Sequence, residues 1–207
     1  MRMLKATLSM LAFCFGVGAS QASLAEEPLV MLKNISDNVI RELHENKSKL
    51  HTSSGIPNKI VYRYLLPHVD VDGMSRTVIG RNTWVSAKPE QKAKFIKEFT
   101  YLVVNTYSGA LKDYSDETVQ FYPLRTGAES ENYVSVKSTI IRSKGRDIPM
   151  AYSLVRKADG WKIYDMSVEG VSLLQSFRSQ FESQLRTVGF DSVINDLAKQ
   201  NTKIRQS

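Results

Sequence analysis

The stretch NYVSVKSTIIRSKGRDIPMAYSLVRKADGWKIYDMSV, residues 132–168, decides the fold. Apolar side chains recur within it at every second position, which is the period of a β-strand with one buried face. Two polar segments, residues 143–145 and 158–160, each contain a glycine and are typical of hairpin turns. The stretch therefore predicts three consecutive antiparallel strands, at residues 132–141, 147–155 and 161–168.

A further strand is predicted just upstream, where Val119 and Phe121 alternate with polar neighbours. Gly170 ends the last strand, which gives a four-stranded antiparallel meander. Strict alternation on that last strand would place Tyr164, Met166 and Val168 on one face, with Trp161 and Ile163 on the other.

On both sides of the predicted sheet the apolar period changes from two to between three and four, which indicates helices. Leu29, Leu32 and Ile35 begin such a stripe after Pro28, a residue suited to a first helical turn. The predicted helices cover residues 28–50, 58–66, 70–80, 89–108, 172–185 and 190–199. Helices grouped apart from an antiparallel sheet are the α+β pattern. We expect helices to pack over the concave face of a curved sheet. The resulting cone would either fill with side chains or stay open as an apolar pocket.

The N-terminus is typical of a secretory signal peptide. Arg2 and Lys5 precede an apolar run at residues 6–19, and small residues surround a cleavage site after Ala25. That run is too short to span a bilayer. The sequence thus predicts a signal peptide at residues 1–25 and one exported domain at residues 26–207, located in the periplasm. Cys14, the one cysteine, would leave with the signal peptide, so a disulfide or a thiol nucleophile is not expected.

The charge is mildly basic. The chain carries a net +7, and loss of Arg2 and Lys5 with the signal peptide would lower this to about +5. No run of five Lys or Arg residues occurs, so we expect no nucleic-acid partner. Attraction to anionic lipid headgroups or to an acidic protein is compatible with this charge.

Catalytic and metal-binding motifs are largely missing from the sequence. His44, His51 and His68 lack the spacing of metal ligands, and no nucleophile motif or phosphate loop occurs. We therefore expect no catalytic residue, metal or cofactor. The one constellation that could support acid–base chemistry is Asp165 with Glu169, since cone-shaped folds can raise the pKa of a carboxyl group in an apolar pocket.

Three ordered segments resemble a known family. WKIYDMSVEGVS at residues 161–172, LLPHVD with TVIG at residues 65–70 and 77–80, and PEQ at residues 89–91 followed by Phe95 are similar to the MlaC, or toluene-tolerance, family of periplasmic phospholipid carriers. The resemblance spans essentially the whole chain after the signal peptide.

The resemblance implies a non-enzymatic, monomeric shuttle, and a cone-like, NTF2-like fold suits that role. It would carry phospholipid between an outer-membrane lipoprotein complex and an inner-membrane ABC transporter, which supports outer-membrane lipid asymmetry. Both complexes would be transient partners, and the carrier would not span a membrane.

A carrier must cover both acyl chains, because exposing them costs about 0.8 kcal/mol per CH₂. We therefore expect a deep pocket between the long helix and the sheet rather than a surface groove. Its predicted lining is Val69, Val71, Met74, Val78, Phe95, Phe99, Leu102, Val103, Val134, Val136, Ile140, Met150, Tyr152, Tyr164, Met166, Val168, Val171 and Leu174. Arg76 and Arg81 are predicted near a lipid phosphate at the mouth.

Two other functions fit the same sequence. A carrier or chaperone for other acylated or apolar ligands would need the same pocket and differ only in ligand and partners. An acid–base enzyme would need a buried carboxylate, for which Asp165 is the candidate.

Overall fold

The computed structural model describes residues 27–53, 55–114, 116–125, 127 and 131–206. The predicted signal peptide at residues 1–25 lies outside the described residues. The helices are α1 (Pro28–Glu45), α2 (Gly55–Ile60), α3 (Val71–Ile79), α4 (Arg81–Ser86), α5 (Pro89–Ser108), α6 (Leu173–Val188) and α7 (Phe190–Gln206). The strands are β1 (Thr118–Phe121), β2 (Tyr133–Ile141), β3 (Ile148–Lys157), β4 (Gly160–Val168) and β5 (Val171–Ser172).

The α+β class with an antiparallel meander is confirmed, in the strand order β1-β2-β3-β4-β5. The sheet has five strands rather than four, because the chain turns back after β4 and pairs Val171 with Val168. Glu169 and Gly170 form this turn, both with positive φ (51° and 84°), which suits a two-residue hairpin. A strand of two residues is too short to show alternation in the sequence.

A bulge in β4 overturns the expected face assignment of that strand. Ile163 pairs with Leu154 and Asp165 with Ser153, so Tyr164 is an extra residue in the ladder. The extra residue shifts the alternation by one position. Trp161 and Ile163 therefore share the inner side of the sheet with Met166, in one apolar cluster, whereas Tyr164 leaves that face and packs against the helices.

The second predicted helix, at residues 58–66, is interrupted. α2 ends at Ile60 and continues as a π-helical turn, Val61–Leu65, and then as a 3₁₀ turn, Leu66–His68. A π-turn adds a residue to the helical repeat and changes which side chains face inward. After it, Val69 bridges to Ile163 at the open edge of β4, which fixes the start of α3 beside the sheet.

The apolar interior forms three clusters rather than one. The helical cluster joins α3, α5, α6 and α7 around Phe95, Phe99 and Phe181. The sheet cluster packs α1 on β2, β3 and β4 around Val136 and Leu154. The third cluster joins the end of α1 to Leu50 and Ile60. Among the described residues, none of the helices combines the length and the apolar character needed to cross a bilayer.

A buried polar contact holds α7 against α5. Asn201 is fully buried and donates to the main-chain oxygen of Glu98 at 2.8 Å and to its carboxylate at 2.7 Å. Arg205 adds a third contact to the same carboxylate at 3.2 Å. Because Glu98 is itself buried, Asn201 supplies hydrogen bonds that water cannot replace.

We expect Asn201→Ala to lower the free energy of unfolding by about 2–3 kcal/mol, because it leaves a buried carboxylate short of a donor. Asn195→Ala is the matched control, since Asn195 lies on the same helix and accepts only an exposed bond from Lys94 at 2.9 Å. The control should change stability by less than about 0.5 kcal/mol. Urea denaturation measures both; equal losses would contradict a specific role for Asn201.

Candidate functional site

An apolar cavity of about 560 Å³ lies between the helices and the inner side of the sheet. Cavities of about 150 Å³ already bind small apolar ligands, so this space far exceeds a packing defect. The helical wall consists of Leu32, Ile35, Val39, Ile40, Leu43, Val61, Leu65, Leu66, Val69, Val71, Met74, Phe99, Val103 and Val104. The sheet wall and the closing end consist of Val119, Phe121, Ile140, Ile148, Met150, Tyr152, Ile163, Met166, Val168, Leu173 and Phe177.

The predicted lining residues divide between cavity and core. Those that line the cavity are Val69, Val71, Met74, Phe99, Val103, Ile140, Met150, Tyr152, Met166 and Val168. Those packed in the helical or sheet cluster instead are Val78, Phe95, Leu102, Val134, Val136 and Leu174. Tyr164 is half-buried against the helical cluster, and Val171 is 60% exposed on β5.

Packing between elements explains why some predicted lining residues lie in the core instead of the cavity wall. The ring of Phe95 stacks edge-on with Phe181 at 5.5 Å and tilts against Phe190 at 5.6 Å, so it points towards α6 and α7. Val134 and Val136 lie where α1 packs closely on the sheet. A helix–sheet contact leaves no space there, whereas the other end of the same strand, at Ile140, faces the cavity.

Sequence reasoning missed a whole wall of the cavity. The apolar stripe of α1, from Leu32 to Leu43, lines the cavity, although the predicted lining contains no residue of this helix. Val61 and Leu65 reach the cavity because of the π-turn between them, for which the sequence offers no simple periodic signal. Val119 and Phe121 on β1 could have been found, since their alternation was visible.

The opening of the cavity is marked by lining residues that are exposed to solvent: Tyr107, Ala110, Asp113 and Arg142. Arg142 begins the turn between β2 and β3, where its main-chain N–H donates to Asp147 at 3.1 Å. Lys144 and Arg146 in the same turn are also exposed. The opening is therefore more polar than the interior and carries positive charge on one side.

Arg76 and Arg81 do not line this cavity. They border a separate surface cleft with Trp84 and Arg178. The prediction that they lie at the mouth of the pocket is therefore wrong. The N-terminal half of α3 lines the cavity through Val71 and Met74, whereas its C-terminal half faces away from the cavity.

Two polar side chains of the cavity wall, Asp165 and Tyr152, make hydrogen bonds within the protein. The Asp165 carboxylate accepts from the Ser172 hydroxyl at 2.6 Å and from the Leu174 main-chain N–H at 3.0 Å, which anchors the first turn of α6 to β4. The Ser138 hydroxyl donates to the Tyr152 hydroxyl at 3.4 Å, and burial raises the pKa of Tyr152, which keeps the phenol neutral. Over the described ranges, no group of His, Cys, Asp or Glu side chains is placed to hold a metal ion.

The segment before β1 is fastened beside the opening. Asp116 pairs with Lys47, and its carboxylate lies 3.6 Å from His44 Nδ1 at the end of α1. The hydrogen bond from Lys47 holds the pKa of Asp116 below its ordinary value. Tyr114 and Glu117, on either side of this contact, line the cavity, so the contact fixes part of the rim.

Comparison with known proteins identifies the kind of fold. The family model described as MlaC protein matches residues 33–199. The intermembrane phospholipid transport system binding protein MlaC of Haemophilus influenzae is 28% identical over 192 residues, which is 91% of this chain and 86% of the relative. The toluene tolerance protein Ttg2D of Pseudomonas putida is 24% identical over 185 residues, covering 88% of this chain and 85% of that protein.

A solved structure shares the fold. The phospholipid-binding protein of Ralstonia solanacearum, solved in complex with a phospholipid, superposes with a TM-score of 0.77 at 24% sequence identity. The match covers 84% of this chain and 97% of that chain. The helices and meander sheet described above are thus an arrangement already seen in a solved protein.

A pair of valine substitutions tests whether the cavity is open. Val119 faces the cavity from β1, whereas Val136 on β2 is fully buried in the sheet cluster. We expect Val119→Trp to lower the free energy of unfolding by less than about 1 kcal/mol, because the indole enters free space, and Val136→Trp to lower it by about 3 kcal/mol through overpacking. Urea denaturation of the delipidated protein measures both. Equal losses would show that the space beside Val119 is filled.

Proposed function

The chain belongs to the MlaC family, and we propose that it is a phospholipid carrier whose cargo lies in the apolar cavity. The observation that supports this most directly is the cavity itself, with apolar walls on both sides and a polar opening. Relatives named for phospholipid transport and for phospholipid binding support the same ligand class.

The energetics favour a cavity over a groove. Two acyl chains hold about 30 CH₂ groups, so their exposure to water would cost on the order of 20 kcal/mol. Side chains from α1, α5 and four strands face the cavity and can cover such chains on its helical side and on its sheet side. Methionines at Met74, Met150 and Met166 suit variable chains, because a thioether adapts its shape at low cost.

We place the headgroup at the opening, close to Arg142. Its guanidinium suits a phosphate, and within the described part of the chain it makes no ion pair. Asp113 lies on the same rim, which disfavours a second negative charge there. This arrangement supports contact with the phosphate that all glycerophospholipids share, and little selection among headgroups.

We further propose the setting that the family resemblance implies. Residues 1–25 would direct export, and residues 26–207 would act in the periplasm as one domain. An inner-membrane ABC transporter and an outer-membrane lipoprotein complex would be the transient partners, and the energy for transport would come from the transporter. The carrier itself would perform no catalysis; both oxygens of Asp165 already serve the start of α6, which supports a structural role for this carboxylate.

The test is native mass spectrometry with lipid extraction on protein purified from a periplasmic fraction. We expect glycerophospholipid bound to the wild type and lost from Val103→Asp, which places a charge on the cavity wall. Val30→Asp is the matched control, because Val30 is 47% exposed on the outer side of α1 and should leave the bound lipid unchanged.

Circular dichroism should show both variants folded. A wild type that is empty and takes up no lipid from vesicles would contradict the carrier function. A folded Val103→Asp protein that retains wild-type lipid would contradict the assigned cavity. Another acylated ligand in the mass spectrum would favour the alternative cargo.

A further inference from the structure

A second cleft, of about 520 Å³, lies on the surface formed by α3, α4 and α6. Its lining residues are Arg76, Thr77, Gly80, Arg81, Trp84, Val85 and Arg178. None of them belongs to the wall of the apolar cavity. The two sites are therefore separate, and what binds in the cleft need not displace the cargo.

Three guanidinium groups from three different helices border this cleft. Arg76 comes from α3, Arg81 begins α4, and Arg178 comes from α6, almost a hundred residues further along the chain. All three are exposed, and in the described part of the chain none of them makes an ion pair. The like charges around this cleft repel each other. An anion bound between them would attract all three and offset that repulsion.

An amphipathic surface accompanies the charges. Trp84 is partly buried, and the Lys92 ammonium lies 5.4 Å from the centre of its ring, which adds a fourth cation. Val85 is 71% exposed, more than any other large apolar side chain in the described chain. Indole rings beside basic side chains are typical of the boundary between lipid headgroups and acyl chains.

We propose that this cleft binds a phosphate group through Arg76, Arg81 and Arg178. The guanidinium fork matches the oxygens of a phosphate and can donate two hydrogen bonds at once. Phosphate reaches the protein in two forms, as a free anion or as the headgroup of a phospholipid at a bilayer surface. In the second case Trp84 and Val85 would rest against the lipid next to the bound phosphate. This proposal does not depend on the cargo of the cavity.

The test compares two variants that lose the same charge. The cleft variant is Arg76→Gln/Arg81→Gln/Arg178→Gln. The control is Lys33→Gln/Lys97→Gln/Lys137→Gln, since these lysines are exposed, unpaired among the described residues and absent from the lining of both sites. Both lower the net charge by three, so any difference between them reports the cleft rather than the overall charge.

The probes are inorganic phosphate, vesicles of phosphatidylcholine, and vesicles of phosphatidylcholine with phosphatidylglycerol, all at low ionic strength. Tryptophan fluorescence is a local signal, because Trp161, the second tryptophan, is only 3% exposed. A saturable change with phosphate alone identifies a free-anion site. A blue shift with vesicles, together with co-sedimentation, identifies a headgroup site, because the Trp84 indole would enter a less polar environment.

The proposal expects the wild type and the lysine control to bind at least one of these probes, with roughly hundredfold weaker binding by the arginine variant. It is overturned if none of the three probes binds the wild type, or if both variants lose binding equally, since net charge alone would then explain the attraction. It is also overturned if poly-glutamate binds the cleft while all three phosphate-bearing probes fail, because the ligand would then be an acidic protein. Lipid content of the cavity, measured in parallel, should be unchanged in both variants.

Discussion

The cavity depends on the packing of phenylalanine rings among α5, α6 and α7. Phe99 lies 5.3 Å from Phe177 and 5.9 Å from Phe181 between ring centres, with the rings nearly perpendicular. Phe95 extends the same group. These helices bury much of their apolar surface against one another, so α5 need not press into the sheet to be stable. The space between them and the sheet can therefore remain open while the domain stays folded.

An open cavity lowers the stability of the folded protein unless the space is occupied. An empty, dry cavity costs about 24 cal/mol per Å³, so one of this size would cost on the order of 10 kcal/mol, comparable to the whole stability of a domain. Water entering at the Arg142 side lowers this cost, but it cannot restore the dispersion contacts that the apolar walls lack. An apolar ligand restores them, which is why the architecture favours a carrier over an ordinary filled core.

The sequence could predict the elements but not all of their inward faces. Strand periods and glycine turns gave the meander, and the stripe that includes Phe95 and Phe99 gave the long helix. Periodicity could not show that Phe95 would turn to α6 while Phe99 also touches the cavity, because both lie on one stripe. Nor could it show the extra residue at Tyr164, since a bulge appears only in the pairing with Ser153 and Leu154.

Contacts between helices that are distant in sequence explain why the arginines lie elsewhere than predicted. The sequence places Arg76 and Arg81 near each other, but Arg178 joins them only because α6 packs beside α3. Each of the two helices contributes to both surfaces. Met74 on α3 and Phe177 on α6 face the cavity. Arg76 and Arg178, one or two residues further along these helices, face the cleft. Neighbouring side chains on a helix point about 100° apart, so two adjacent helices can present an apolar wall on one side and a basic surface on another. Single substitutions can thus change the cavity wall or the cleft separately, although both surfaces rest on the same helix pair.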